Sequence, residues 1–304
     1  MTVAMIPFAE GEAGLDWIGV TEAIAAGHAR PRAQVADVLL HRGDDTLLNR
    51  SAWIDGLGVA VKVCTIYPGN VATGKPAIGG AVNLCSDADG ALEAILDFHL
   101  VTKWKTAGDS LLAARRLARK DAREILIVGA GTVGRTLLQA YGAVWPEARF
   151  SVWNRTRAGA ERFCAENAGV RLAEDLETAV RGADIVTSAT MTTEPLIRGD
   201  WLRPGTHVDL IGAYTPAMRE ADDTAIARAR VFCDNRDTVI HHIGELMDPI
   251  RDGVIGPDHV VADFYDLPSF RRLDDDEITL FKNGGGAHLD LMVSRYILER
   301  WQER

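Results

Sequence analysis

The fold class predicted by this sequence is α/β: a doubly wound parallel sheet, with a smaller α+β domain ahead of it. Three observations predict it. A short apolar run enters a glycine-rich turn and then a helical stretch at residues 124–140. Strand-like and helical segments alternate from there to about residue 213. The first 120 residues mix helices and short β-like runs in no such order. Strands alternating with helices imply a parallel sheet covered on both faces.

The leading element is Glu124-Ile-Leu-Ile-Val-Gly-Ala-Gly-Thr-Val-Gly-Arg135. Ile125 to Val128 reads as a buried strand and Thr136 to Ala140 as the start of a helix. Between them Gly129, Gly131 and Gly134, with Thr132 and Val133, make Gly-x-Gly-x-x-Gly. In a dinucleotide site the first glycine makes the tight turn, the second lets backbone amides approach the pyrophosphate, and the third lets helix pack on strand. Alone the motif is weak, and an unrelated glycine turn is the alternative. The strand before it and the helix after it favour a Rossmann-type unit.

Arg149-Phe-Ser-Val-Trp153 alternates like the next strand and ends in Asn154-Arg155-Thr156-Arg157. This is where, about 20 residues past the glycines, an NAD enzyme places a carboxylate for the adenine ribose 2′-hydroxyl. Here the carboxylate is missing, and Asn154, the guanidinium groups of Arg155 and Arg157, and the Thr156 hydroxyl suit a 2′-phosphate instead. A solvated basic loop is the competing interpretation. The predicted cofactor is NADPH, ahead of NAD(H).

Further strands are expected at 184–188 and 206–211, with helices at 157–168 and 174–181. Ligands in such sheets lie beyond the carboxyl ends of the strands. The loops after the later strands, with Ala189, Thr190 and Met191 in one and Gly212 and Tyr214 in the other, are therefore expected to face the nicotinamide. The dinucleotide domain is assigned to 121–286.

The preceding domain, 1–120, is expected to have helices at 16–30 and 91–119 and β-like runs at 35–40, 58–66 and 81–85. Asp109 and Ser110 interrupt the longer helix, after which Leu111, Leu112, Ala114 and Leu117 resume an apolar stripe. Such a stripe reads as core or subunit contact. Helical spacing runs over 278–301, and a C-terminal helix, 287–304, is expected to complete the first domain. The acid run Asp274 to Glu277 reads as a helix start, where the dipole favours carboxylates. His241 and His242 lack a ligand set at metal spacing, so no metal is expected.

At 304 residues the chain exceeds one typical domain. Its net charge of −10 argues against nucleic acid or an anionic membrane as partner, though not against a small anionic substrate. Cys64, Cys85, Cys164 and Cys233 form no Cys-x-x-Cys pair, which fits a reducing compartment. The amino terminus is too acidic and too weakly apolar for a signal peptide, and no run reaches the roughly 18 apolar residues of a membrane span. A cytoplasmic location is expected.

Several stretches together resemble the ornithine cyclodeaminase/mu-crystallin family: Gly58-Val-Ala-Val-Lys62, continuing to Pro68-Gly69-Asn70; Val101-Thr102-Lys-Trp-Lys105-Thr106-Ala107, continuing to Ser110; the glycine fingerprint with Asn154-Arg155-Thr156; Gly212-Ala-Tyr-Thr-Pro216, continuing to Glu220; and Ile278-Thr-Leu-Phe281-Lys282. Order and spacing agree from about residue 40 to the end. The resemblance implies an NAD(P) domain, a substrate domain that also makes a homodimer, and a cleft between them. Its members act on small α-amino or α-imino acids.

Read on its own, Lys62 lies in an apolar strand-like run, a poor place for a charge without a partner. A substrate carboxylate is one partner and a structural ion pair the other. The resemblance implies the carboxylate, helped by an arginine that corresponds best to Arg42, with Arg50 as competitor. A second family arginine is Lys105 here, which keeps the charge and loses the bidentate fork. Asn283 and Gly284, in the glycine-rich turn before the last helix, complete the expected substrate set. The catalytic candidates are Lys62, Lys105 and Tyr214.

Tyr214 departs from the pattern. Cyclodeaminases carry an aspartate there and a lysine where this chain has Met218. Cyclodeamination of ornithine needs a base that takes and returns protons near neutral pH. A phenol is neutral at pH 7 and does not replace a carboxylate. A preformed cyclic imine needs only a carboxylate clamp and a hydride. The expectation is therefore an NADPH-dependent reductase of cyclic imino acids. Ornithine cyclodeaminase, an open-chain amino-acid dehydrogenase and a non-catalytic, nucleotide-dependent binding protein of crystallin type are the alternatives.

Overall fold

The computed structural model describes residues 2–304 and divides into two compact units, 2–108 with 286–304, and Asp109–Gly285. The divisions fall at 108/109 and 285/286. The first lies inside a continuous helix, so no linker composition marks it.

The first unit begins with β1 (Ala4–Ile6), α1 (Phe8–Glu12) and α2 (Trp17–His28). The Asp16 side chain caps α2 by accepting from the Gly19 amide at 2.6 Å. Then come β2 (Gln34–Arg42), β3 (Asp45–Ile54), β4 (Gly58–Ile66), β5 (Ile78–Cys85) and β6 (Leu92–Asp97), followed by α3 (Phe98–Leu117). The sheet order is β1-β6-β5-β4-β3-β2, antiparallel except where β1 runs parallel to β6.

Two expectations change here. The stretch 91–119 is not one helix: Ala94 and Leu96 alternate inward to make β6 before α3 starts. Nor do Asp109 and Ser110 interrupt α3, which runs through both, and both are fully buried. The edge strand β2 is exposed along its whole length, and Val35, Val38, Leu39 and Leu40 are each about half exposed, as is Trp53 on β3. An edge that long and that apolar is normally covered.

The second unit contains β7 (Glu124–Val128), α4 (Thr132–Val144), β8 (Arg149–Trp153), α5 (Arg157–Glu166), β9 (Arg171–Leu172), α6 (Leu176–Gly182), β10 (Ile185–Ser188), β11 (His207–Leu210), α7 (Asp223–Arg228), β12 (Arg230–Cys233), α8 (Arg236–Val239), α9 (Gly244–Arg251), β13 (Val260–Ala262) and β14 (Thr279–Lys282). All eight strands pair in parallel, in the order β13-β12-β14-β11-β10-β7-β8-β9. The chain leaves β7 towards β8 and returns on the other side with β10. This reversal opens a crevice at the carboxyl end of β7. Leu126, Val128, Val186, Val208 and Leu280 are fully buried in the core over this sheet.

The helical spacing expected over 278–301 splits. Thr279 to Lys282 form the fully buried strand β14 between β11 and β12, and only α10 (Ala287–Gln302) is helix. A short apolar run buried on both faces has no alternation to distinguish it from helix. Asp274 to Glu277 start no helix either. The Asp274 carboxylate accepts from the Asp276 and Glu277 amides, closing a turn before β14. Within the first unit α10 packs against α2, β3 and β4.

Candidate functional site

The dinucleotide fingerprint folds as its spacing demands. Gly129 takes φ +110°, which favours glycine, and a Cβ there would lie 2.8 Å from the Ala189 carbonyl oxygen. A Cβ on Gly134 would sit 2.1 Å from the Gly129 carbonyl oxygen, so only glycine lets α4 approach β7. Nothing lies within 4 Å of a Cβ built on Gly131, which leaves the backbone before the first turn of α4, with Thr132 and Val133, uncovered. An uncovered helix N-terminus of this length is a fitting cradle for a pyrophosphate.

Gly129, Gly131, Asn154, Arg155, Thr190 and Met191 help to line a cavity of about 330 Å³, together with Thr156 and Ala189. The Asn154 side chain fixes its rim: Oδ1 accepts from the Ala130 amide at 3.1 Å, and Nδ2 donates to the Thr156 carbonyl and hydroxyl at 3.0 and 2.9 Å. Arg155 is exposed on that rim. Gly212 packs directly against the Thr190 loop, since a Cβ there would meet the Thr190 carbonyl oxygen at 2.0 Å.

Sequence reasoning missed how the two strand-end loops are held. The fully buried Glu220 carboxylate accepts from the Ser188 hydroxyl at 2.6 Å and from the Thr190 amide and hydroxyl at 2.8 and 2.9 Å. Its other oxygen accepts from the Gly212 and Ala213 amides at 2.6 and 3.1 Å. Glu245 in turn holds the Glu220 and Ala221 amides at 2.9 Å. Burial pushes the Glu245 carboxyl up to about 7. Tyr214 stands on the second loop, 59% exposed. Asn283 is buried, its side chain donating to the Ser110 hydroxyl at 3.0 Å, and the Gly284 amide donates to Asp234 at 3.1 Å.

The first unit brings Lys62 and Lys105 together. The Lys62 ammonium donates to Asp290 Oδ1 on α10 at 2.9 Å and to the Thr102 hydroxyl on α3 at 2.7 Å, and lies 4.5 Å from the centre of the Phe98 ring. Lys105 Nζ is 3.7 Å from the same Asp290 oxygen. Phe98, Thr102 and Lys105 share a face of α3 by their spacing of four and three residues. Burial alone would raise the Asp290 carboxyl, but the charges of Lys105 and Lys62 outweigh it and hold it below its ordinary value.

The two arginines expected as helpers of Lys62 are placed differently. Arg42 lies at the tip of the β2–β3 hairpin, its side chain 78% exposed and paired with Asp45 at 2.9 Å. Arg50 is the register partner of Lys62 across β3 and β4. It is held in a fork by Asp37, with distances of 2.8 to 3.1 Å. A strict strand period puts cross-strand partners on one face. Alignment on the hairpin tip, where Arg42 precedes the turn, carried no such constraint. Asp290 was not anticipated; its only signal was an acid within the apolar stripe of the last helix.

Residues 52–304 match the model of the Ornithine cyclodeaminase/mu-crystallin family. A Delta(1)-pyrroline-2-carboxylate reductase of Paracoccus denitrificans is 49% identical over 300 residues, 96% of this chain and 95% of that protein. Ketimine reductase mu-crystallin of Mus musculus is 30% identical over 278 residues, 90% of this chain and 86% of that one. Among solved structures, that of Thermococcus litoralis Delta(1)-pyrroline-2-carboxylate reductase in complex with NADH and L-proline has a TM-score of 0.89 at 25% identity, covering 99% of this chain and 98% of that one. An archaeal alanine dehydrogenase dimer with bound NAD has a TM-score of 0.88 at 25% identity, covering 100% and 97%.

Proposed function

The chain belongs to the ornithine cyclodeaminase/mu-crystallin family, and we propose that within it this protein reduces cyclic imino acids of the pyrroline-2-carboxylate or piperideine-2-carboxylate type to proline- or pipecolate-like products, with NADPH as reductant. It is an NAD(P)-dependent oxidoreductase acting on a C=N bond. The observation that carries the substrate class is the convergence of Lys62 and Lys105, two ammonium groups from different elements, in a buried site. Such a pair suits the carboxylate of an α-imino acid.

Gly129, Gly131, Gly134 and the first turn of α4 fit the pyrophosphate, and the nicotinamide, when bound, supplies the hydride. Lys62 and Lys105 orient the substrate through its carboxylate. A ring imine arrives already closed, and protonation of its nitrogen makes the neighbouring carbon electrophilic. The protein then needs no carboxylate base, and Tyr214 stands where cyclodeaminases carry one. Glu220 keeps the loops that carry Thr190 and Gly212 in place.

The finer parts of the proposal have separate support. The 2–108 unit with the C-terminal helix is the substrate domain and the 109–285 unit the dinucleotide domain. Arg155, exposed beside the cavity, favours NADPH over NADH. The apolar β2 edge supports a homodimer. Four free cysteines support the cytoplasm. No helix among the described residues is long and apolar enough to cross a membrane.

The test is to mix purified protein with NADPH and chemically generated pyrroline- or piperideine-2-carboxylate and follow reduced-nicotinamide absorbance. NADPH oxidation is expected, with no ammonia released from ornithine. Robust ammonia and proline formation from ornithine would replace this reading by cyclodeamination.

A further inference from the structure

A buried ion pair is a poor device for stability, because desolvating two charges cancels most of their attraction. The pair between Lys62 and Asp290 is nevertheless sunk in the first unit, with side chains 6% and 1% exposed. Asp290 lies in the first turn of α10, where the helix dipole favours a carboxylate, but that setting does not require a lysine beside it. Its Oδ1 serves Lys62 at 2.9 Å and Lys105 at 3.7 Å, while Oδ2 has no hydrogen-bond partner among the described residues. It closes no turn and caps no helix.

What the pair does accomplish is to aim an ammonium group. A lysine carries its charge on a flexible four-carbon stem with three rotatable donors. On Lys62, Asp290 takes one donor and the Thr102 hydroxyl a second, from two different helices. The Phe98 ring lies 4.5 Å from the nitrogen and adds a cation–π contact. One N–H remains, so its direction is fixed by the other two. A clamp preorganised in this way spends less entropy when a carboxylate arrives.

We propose that Asp290 and Thr102 are positioning residues for substrate binding: together they hold the Lys62 ammonium so that its third N–H is presented to one oxygen of the substrate carboxylate. This rests on Lys62 being the carboxylate clamp of the proposed reductase. Asp290 carries the larger part, as the charged and fully buried partner, and Thr102 the smaller.

Steady-state kinetics on the full-length protein with NADPH test this, using Lys62→Met, Asp290→Asn, Asp290→Glu and Thr102→Val. Lys62→Met checks the underlying reading: if the KM for pyrroline-2-carboxylate does not rise, Lys62 is no clamp and that reading falls first. Given a rise, Asp290→Asn is expected to raise KM about tenfold and Thr102→Val about threefold, with kcat within about threefold and the nucleotide Kd unchanged. Asp290→Glu, which keeps the charge, is expected to recover most of the loss. Unchanged KM in both Asp290→Asn and Thr102→Val, or a fall in kcat at constant KM, would overturn the proposal. Should Asp290→Asn not fold, Thr102→Val and Asp290→Glu decide it by the same KM criterion.

Discussion

Arg157 is tied down by Glu161, at 2.7 Å, and by Glu174, whereas Arg155, two residues earlier, makes no hydrogen bond or ion pair among the described residues. The two guanidinium groups that end β8 are thus not equivalent. One fastens α5, and the other stands exposed on the rim of the cavity bounded by Gly131, Asn154 and Thr190.

Replacing Arg155 by Ser is therefore expected to weaken NADPH binding roughly 10- to 100-fold, the worth of a charge-assisted contact of about 1.5–3 kcal/mol, and to leave NADH nearly unaffected. Fluorescence titration with both nucleotides checks it. Equal losses for the two would remove any 2′-phosphate role from Arg155. Arg157→Ser is expected to leave the ratio of the two affinities unchanged.

Lys62→Met removes one partner of a buried pair and leaves the Asp290 carboxylate with Lys105, 3.7 Å away. The expected cost in denaturant titration is about 3–5 kcal/mol. Adding Asp290→Asn to Lys62→Met is expected to restore most of that stability and none of the affinity for imino acid. A double variant that regained substrate affinity along with stability would make Lys62 a purely structural residue.

Tyr214 is expected to shape the pocket more than to move protons. Tyr214→Phe should lower turnover of the cyclic imine by less than about tenfold, well short of the 10²–10⁴ of a general acid. Single-turnover rates measured with saturating NADPH decide it. A thousandfold loss would make the phenol the proton donor.

Asp209 links stability to pH. Burial pushes its carboxyl up to about 6, despite hydrogen bonds from Thr187 and Tyr141, both at 2.8 Å. The ordinary value is 3.8, so between the two values the folded chain binds a proton that the unfolded chain releases. The contribution is fully present below about pH 4 and is lost as pH rises through about 6. Asp209→Asn abolishes this slope, so its stability relative to the parent protein should rise by about 2–3 kcal/mol from pH 4 to pH 8. Urea midpoints at the two pH values measure it. A constant difference would show that Asp209 stays charged throughout.

The dinucleotide half was the more legible in the sequence because its constraints are local. Gly129, Gly131 and Gly134 sit in one turn, and each answers a clash or an opening read from the backbone. Lys62 was legible as an anomaly, a charge among apolar neighbours, but its partner Asp290 lies 228 residues away and no spacing rule connects them. Strand β3 was hidden for a different reason. Asn49, Arg50 and Ser51 break its alternation, and its pairing follows from the tight turn at Gly43, where φ is +58°. Arg50 could have been found by pairing 45–54 against 58–66, since the register then sets it opposite Lys62. In β14 the apolar run Thr279 to Phe281 is short enough to satisfy helix and strand alike.

Glu220 gathers donors from Ser188, Thr190, Gly212 and Ala213, and so makes the ends of β10 and β11 a single mechanical part. Neither loop can open alone without leaving a buried Glu220 oxygen short of donors, where each lost partner costs more than a surface bond. Their backbone amides should therefore exchange with solvent together, at one common rate, rather than as two independent segments. The Thr190 side of the cavity would then loosen only together with the neighbouring strand end, as one all-or-none movement.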